Sequence, residues 1–138
     1  MRELPRQLSV DELSELFEGR TRLVERLAAV EDPLANADAV LADMSEEEKV
    51  EALAAHPRIG ERSPEQHGDD PAVLAELAEL NRAYEERFGF RFVVFVNGRS
   101  RAEILPELRE RLESTREQEL DTGLDALVSI AEDRWHKS

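Results

Sequence analysis

Four times along this chain a hydroxyl residue is followed three positions later by Glu or Gln: Ser9 with Glu12, Ser45 with Glu48, Ser100 with Glu103, and Thr115 with Gln118. The first amides of a helix have no partner within it, and this spacing lets the two side chains satisfy the helix start reciprocally. Each pair therefore predicts where a helix begins. After the first, Leu13, Leu16, Phe17, Val24 and Leu27 recur at helical spacing, predicting one amphipathic helix that closes at Glu31-Asp32 before Pro33. Residues 34 to 42 are expected to form a short second helix, and 46 to 55 a third that Pro57 stops.

Asp70 and Pro71 suit an N-cap and a first helical position. Val73, Leu74, Leu77, Leu80, Tyr84 and Phe88 then give a helix face over 71 to 88 that ends at Gly89. Ile104, Leu105, Leu108 and Leu112 mark another helix, and Leu120, Leu124, Leu127, Val128, Ala131 and Trp135 a last one. No internal repeat or long linker divides the 138 residues. The expectation is an all-α, single-domain bundle of about six to eight helices over 1 to 138.

Phe90 to Val96 runs against this pattern, because its aromatic and β-branched residues have the composition of a buried strand. A lone strand in a helical bundle lacks a partner for its backbone groups, so the segment near 90 to 96 is expected to be a buried extended or irregular run.

Composition narrows the chemistry. A net charge of −14 argues against nucleic acid and anionic membranes as partners, since phosphate neutralisation needs a basic face. The excess is uneven: His56 to Arg101 holds seven Lys/Arg against eight Asp/Glu, and the rest holds eleven against twenty-four. A small anionic ligand is therefore better received in the middle of the chain. No apolar run reaches the roughly 20 residues needed to span a bilayer, and no targeting signal is visible, so the cytoplasm is the expected compartment. With no cysteine there is no thiolate nucleophile or sulfur metal site. His56, His67 and His136 lack metal-pair spacing, and no phosphate-binding glycine loop is present, so neither metal nor cofactor is expected.

His56 stands at the expected end of a helix and before a proline, where an imidazole serves either the helix dipole or acid–base chemistry. Glu65 follows in a loop that can fold a carboxylate back toward the ring, where it favours imidazolium, and Ser63 and Gln66 offer neutral hydrogen bonds. Asn81 and Tyr84 share a helix face with Phe88 and are expected to support the site from behind. If the 90-to-96 segment is irregular, its amides and carbonyls are expected to read the edges of a heterocycle.

Taken in order, Ala55-His56-Pro57-Arg58-Ile59-Gly60, Glu65-Gln66, Leu80-Asn81, Tyr84, Phe88-Gly89-Phe90 and Phe92-Val93-Val94 resemble the 2-oxo-4-hydroxy-4-carboxy-5-ureidoimidazoline (OHCU) decarboxylases. Arg101, Ile104-Leu105, Glu110-Arg111-Leu112 and, more weakly, Leu16 to Leu27 extend the likeness over nearly the whole chain. The resemblance implies an all-helical homodimer that turns OHCU into (S)-allantoin and carbon dioxide without a cofactor, in urate degradation. It casts His56 as the catalytic acid, Glu65 as its carboxylate partner, Pro57 as a wall of the site and Gln66 as a substrate contact. It also assigns the ring and ureido group to the backbone of Phe92, Val93, Val94, Phe95 and Val96. One departure stands out: the loop is short, Arg62 takes the usual serine position, and Ser63 lies one residue out of register. The alternative is a non-catalytic acidic helical module that binds a basic partner on a decarboxylase-like scaffold.

Overall fold

The computed structural model describes residues 7–57 and 71–137, and among these it contains seven helices and no strand. They are α1 (Val10–Leu16), α2 (Arg22–Ala28), α3 (Ala37–Ala42), α4 (Glu46–Ala55), α5 (Pro71–Phe88), α6 (Arg101–Arg111) and α7 (Arg116–Lys137). All four expected helix starts are present. Ser9, Ser45 and Ser100 each accept from the amide three residues on, while Glu12, Glu48 and Glu103 accept from the cap amide at 3.0 Å. Thr115 and Gln118 exchange the same pair at 3.1 and 3.2 Å.

The helix expected between Ser9 and Pro33 is instead two. The chain turns after Leu16, with Glu18 at φ 66°, and restarts at Thr21, whose hydroxyl accepts from the Val24 amide. Apolar spacing continued through this corner because both short helices bury the same kind of face: Leu13, Leu16 and Phe17, then Leu23, Val24 and Leu27. Thr21 went unnoticed because Val24 stands where the reciprocal Glu or Gln belongs. The other helices follow the sequence closely, with α5 beginning at Pro71 and closing at Gly89, whose positive φ of 81° suits the left-handed helix end.

Leu13, Leu27, Leu53, Tyr84, Phe92, Ile104, Leu108 and Leu127 belong to one hydrophobic cluster drawn from α1, α2, α4, α5, α6, α7 and the 90-to-96 run. Helix α4 packs on α2 and α7, α1 on α2 and α7, and α5 on α6. The last turn of α4 is held by two close approaches. A Cβ on Gly19 would lie 3.2 Å from that of Ala55, and one on Gly123 would lie 3.2 Å from Leu53 Cδ2. Those small residues let the α1–α2 corner and α7 close on the end of α4, and so fix where the next residue, His56, begins.

Candidate active site

His56 caps the C-terminus of α4. Its amide donates to the Leu53 carbonyl at 3.2 Å, and its extended backbone (φ −81°, ψ 136°) leads into half-buried Pro57. The His56 carbonyl accepts from Arg91 Nη1 at 2.9 Å, which joins the end of α4 to the start of the extended run. Its Nδ1 is buried and has no hydrogen-bond partner among the described residues. Burial, with Arg134 and Arg91 as neighbouring cations, lowers the imidazole to about 4 against the opposing pull of Glu18. The ring is therefore neutral near neutral pH in the unliganded protein.

Arg134 comes from the last turns of α7. It donates to the Leu16 carbonyl at 2.9 Å and pairs with Glu18 at 2.6 Å, so the α1–α2 corner holds a cation and a carboxylate near His56. Sequence reasoning missed Glu18, Arg91 and Arg134 as neighbours of the histidine. Glu18 lay in a stretch read as helix and as a weak part of the family likeness, with no role assigned to it, and nothing local to Arg134 signals that α7 returns to the end of α4. Ser63, Glu65 and Gln66, together with Arg62, lie outside the described residues.

The run from Phe90 to Val96 is irregular, with Phe90, Phe92, Val93 and Val94 buried and Phe95 and Val96 half-buried. Arginines stand where a neighbouring strand would be. Arg111 Nη1 donates to the Val93 carbonyl at 2.9 Å, and Arg99 donates to the carbonyls of Phe95 at 2.7 Å and Val96 at 3.0 Å. Arg116 donates to the Phe88 carbonyl at 2.8 Å and stacks its guanidinium over Phe90. The carbonyls are thus less open to a ligand than the sequence suggested: three of those from Val93 to Val96 are already engaged.

Tyr84 is fully buried and supports the run from behind. Its ring lies 5.3 Å from that of Phe92 and 6.0 Å from that of Phe90, both edge-on, and its hydroxyl donates to Glu119 at 2.7 Å. Burial and the Glu119 hydrogen bond push the Tyr84 hydroxyl far above its ordinary value, so it remains a donor. Glu119 also accepts from Arg111 Nε at 2.7 Å. Asn81 is buried one turn earlier on α5.

A surface hollow of about 280 Å³ between α3, α4 and α7 is lined by Asp38, Lys49, Asp121 and Asp125. Burial and the charges of Asp38 and Asp121 raise the Asp125 carboxyl. Three carboxylates against one lysine repel an anion, so the hollow does not suit the small anionic ligand that the middle of the chain favours. The surroundings of His56, with Arg91 and Arg134, have the appropriate sign. Among the described residues no group of His, Asp and Glu is arranged to hold a metal ion, and no helix is long and apolar enough to cross a membrane.

Residues 2–136 match the family described as OHCU decarboxylase. A 2-oxo-4-hydroxy-4-carboxy-5-ureidoimidazoline decarboxylase of Haloferax volcanii is 30% identical, over 89% of this chain and 84% of its own length. A uric acid degradation bifunctional protein of Arabidopsis thaliana is 34% identical over 64% of this chain, and the match spans about a third (32%) of that longer protein. In structure, the chain superposes on a crystal structure of OHCU decarboxylase in the presence of (S)-allantoin. The TM-score is 0.77 at 26% identity, covering 91% of this chain and 96% of that one.

Proposed function

Because the chain belongs to the OHCU decarboxylase family, we propose that it is a carboxy-lyase that releases carbon dioxide from OHCU and leaves (S)-allantoin, with His56 delivering the proton. The observation that carries this reading is the His56 ring itself: a buried Nδ1, without a hydrogen-bond partner among the described residues, on an imidazole flanked by two arginines. A buried polar atom without a partner is costly, and in an enzyme its partner is commonly the substrate.

The chemistry follows from charge. Arg91 and Arg134 attract the substrate carboxylate, and that anion reverses the field at the ring. A negative neighbour raises an imidazole's pKa, so the bound complex draws in a proton that the free protein does not hold. The bond between ring carbon and carboxylate then breaks, carbon dioxide leaves, and the electron pair spreads into the substrate's own unsaturated ring. His56 passes its proton from one face to the neighbouring ureido-bearing carbon, which sets the chirality, while the hydroxyl on the decarboxylated carbon becomes a carbonyl and gives its proton to the ring nitrogen; the imidazole returns to its neutral state. One proton is consumed per turnover, and the substrate serves as its own electron sink.

Glu65 holds the imidazole as its carboxylate partner, Ser63 and Gln66 hydrogen-bond the substrate, and Pro57 walls the site. Main-chain groups from Phe92 to Val96 bind the ring and ureido group and stabilise developing charge. The protein acts as a homodimer of one domain in the cytoplasm, without metal or cofactor. Family membership weighs against the non-catalytic acidic module.

The test is to supply freshly generated urate-oxidation product and follow the circular dichroism of the allantoin formed. Optical activity above the uncatalysed control is expected, and a racemic product at the uncatalysed rate overturns the reading.

A further inference from the structure

Building on the reading of 92 to 96 as the substrate-binding run, we propose that Arg99 and Arg111 are positioning residues. They take the carbonyls on either side of Val94, so that the main chain of Val94 itself is left to receive the substrate. The carbonyls of Val93 and Phe95 are both taken by arginines that flank and end α6. Val94 lies between them, and no hydrogen bond among the described residues uses its amide or carbonyl.

The two arginines act as a unit because Glu107 pairs with both, at 2.6 Å to Arg99 and 3.7 Å to Arg111. Arg99 closes the end of the run twice more. Its amide and its Nε both donate to the Val96 carbonyl, beside a turn in which Asn97 and Gly98 take positive φ. Arg111 is anchored from behind by Glu119 and lies over the Phe92 ring at 4.5 Å.

A guanidinium fork satisfies carbonyls as a neighbouring strand would, yet adds no strand to cover the main chain between them. Val94 is then left presenting an adjacent donor and acceptor. That pair matches the N–H and C=O of a ureido or cyclic amide group, so the clamp selects amide-bearing heterocycles over simple carboxylates.

Two measurements test this. In a nitrogen-15-labelled protein titrated with (S)-allantoin, the Val94 amide is expected to shift more than those of Val93 and Phe95. The reverse order overturns the assignment of Val94. In Arg99→Gln, KM is expected to rise roughly tenfold, about what one positioning hydrogen bond contributes, with kcat within about twofold and Arg99→Lys recovering part of the loss. An unchanged KM with only a lower Tm makes Arg99 merely structural and overturns its role. If no amide from 92 to 96 responds and the unmodified protein forms no chiral allantoin, the functional reading falls and takes this inference with it. A response in the wrong order removes the inference alone.

Discussion

The guanidinium of Arg91 donates to the carbonyl of His56 across 2.9 Å, so the residue that opens the extended run also fixes the end of the helix that carries the histidine. The same side chain helps hold the imidazole neutral. Arg91 thus links the position of the proposed proton donor to its protonation state.

Replacing Arg91 with Gln should separate these effects. The imidazole midpoint is expected to rise, because a cation is removed. kcat/KM should fall by about one to two orders of magnitude, as expected when a reacting group loses its alignment. Proton NMR of the imidazole and steady-state kinetics on the same variant check both.

The histidine should titrate near 4 in the free protein, below the ordinary imidazole value of about 6.5. Between those values the unfolded chain binds a proton that the folded chain refuses. Stability should therefore fall as the pH is lowered through this window and level off below it, where both states are protonated. Arg134→Gln should raise the midpoint and Glu18→Gln should lower it. An NMR titration of the three proteins reads the order directly, and a His56 midpoint at or above the ordinary value contradicts the electrostatic account.

His56→Asn keeps a polar side chain of similar bulk at the end of α4 and removes the titrating ring. The expected result is a Tm close to that of the unmodified protein with most of the chiral turnover lost. Product chirality must be followed as well as rate, because uncatalysed decay also gives allantoin.

Behind the site, Tyr84, Glu119 and Arg111 form a buried set in which one carboxylate serves two donors. Tyr84→Phe deletes one hydrogen bond and should cost about 1–2 kcal/mol. Glu119→Gln removes the buried carboxylate nearest Arg111, leaving Glu107 at 3.7 Å, and should cost more, about 3–5 kcal/mol. Urea unfolding of both variants tests the ranking.

Ser45→Ala removes the hydroxyl that accepts from the Glu48 amide at 3.2 Å. It should cost about 1 kcal/mol, a usual value for a lost cap. The site end of α4 is fixed separately by Gly19, Gly123 and Arg91, so thermal unfolding should shift while KM does not.

Helix starts were legible in the sequence because a capping box is local: the hydroxyl, the carboxylate and the amides they satisfy all lie within four residues. The same locality hid the α1–α2 corner. Thr21 caps without a reciprocal carboxylate, and the apolar spacing of two short helices reads like that of one. The 90-to-96 run was legible as a buried extended or irregular segment from its composition against a helical background. Its partners could not be read, because the arginines that take its carbonyls come from the turn before α6 and the end of α6, and the one that stacks on Phe90 comes from the start of α7.

The sequence alone determined the helical class, the starts of α4 to α7 with the ends of α4 and α5, and His56 with its flanking motif as the place to look for chemistry. Tertiary structure decided what that histidine is. Packing brings Arg134 of α7, Glu18 of the first corner and Arg91 of the extended run around one imidazole, and the charge of that assembled environment makes the ring neutral when empty. Electrostatic fields depend on distance through space, and no local sequence pattern records which distant side chains the fold will bring together.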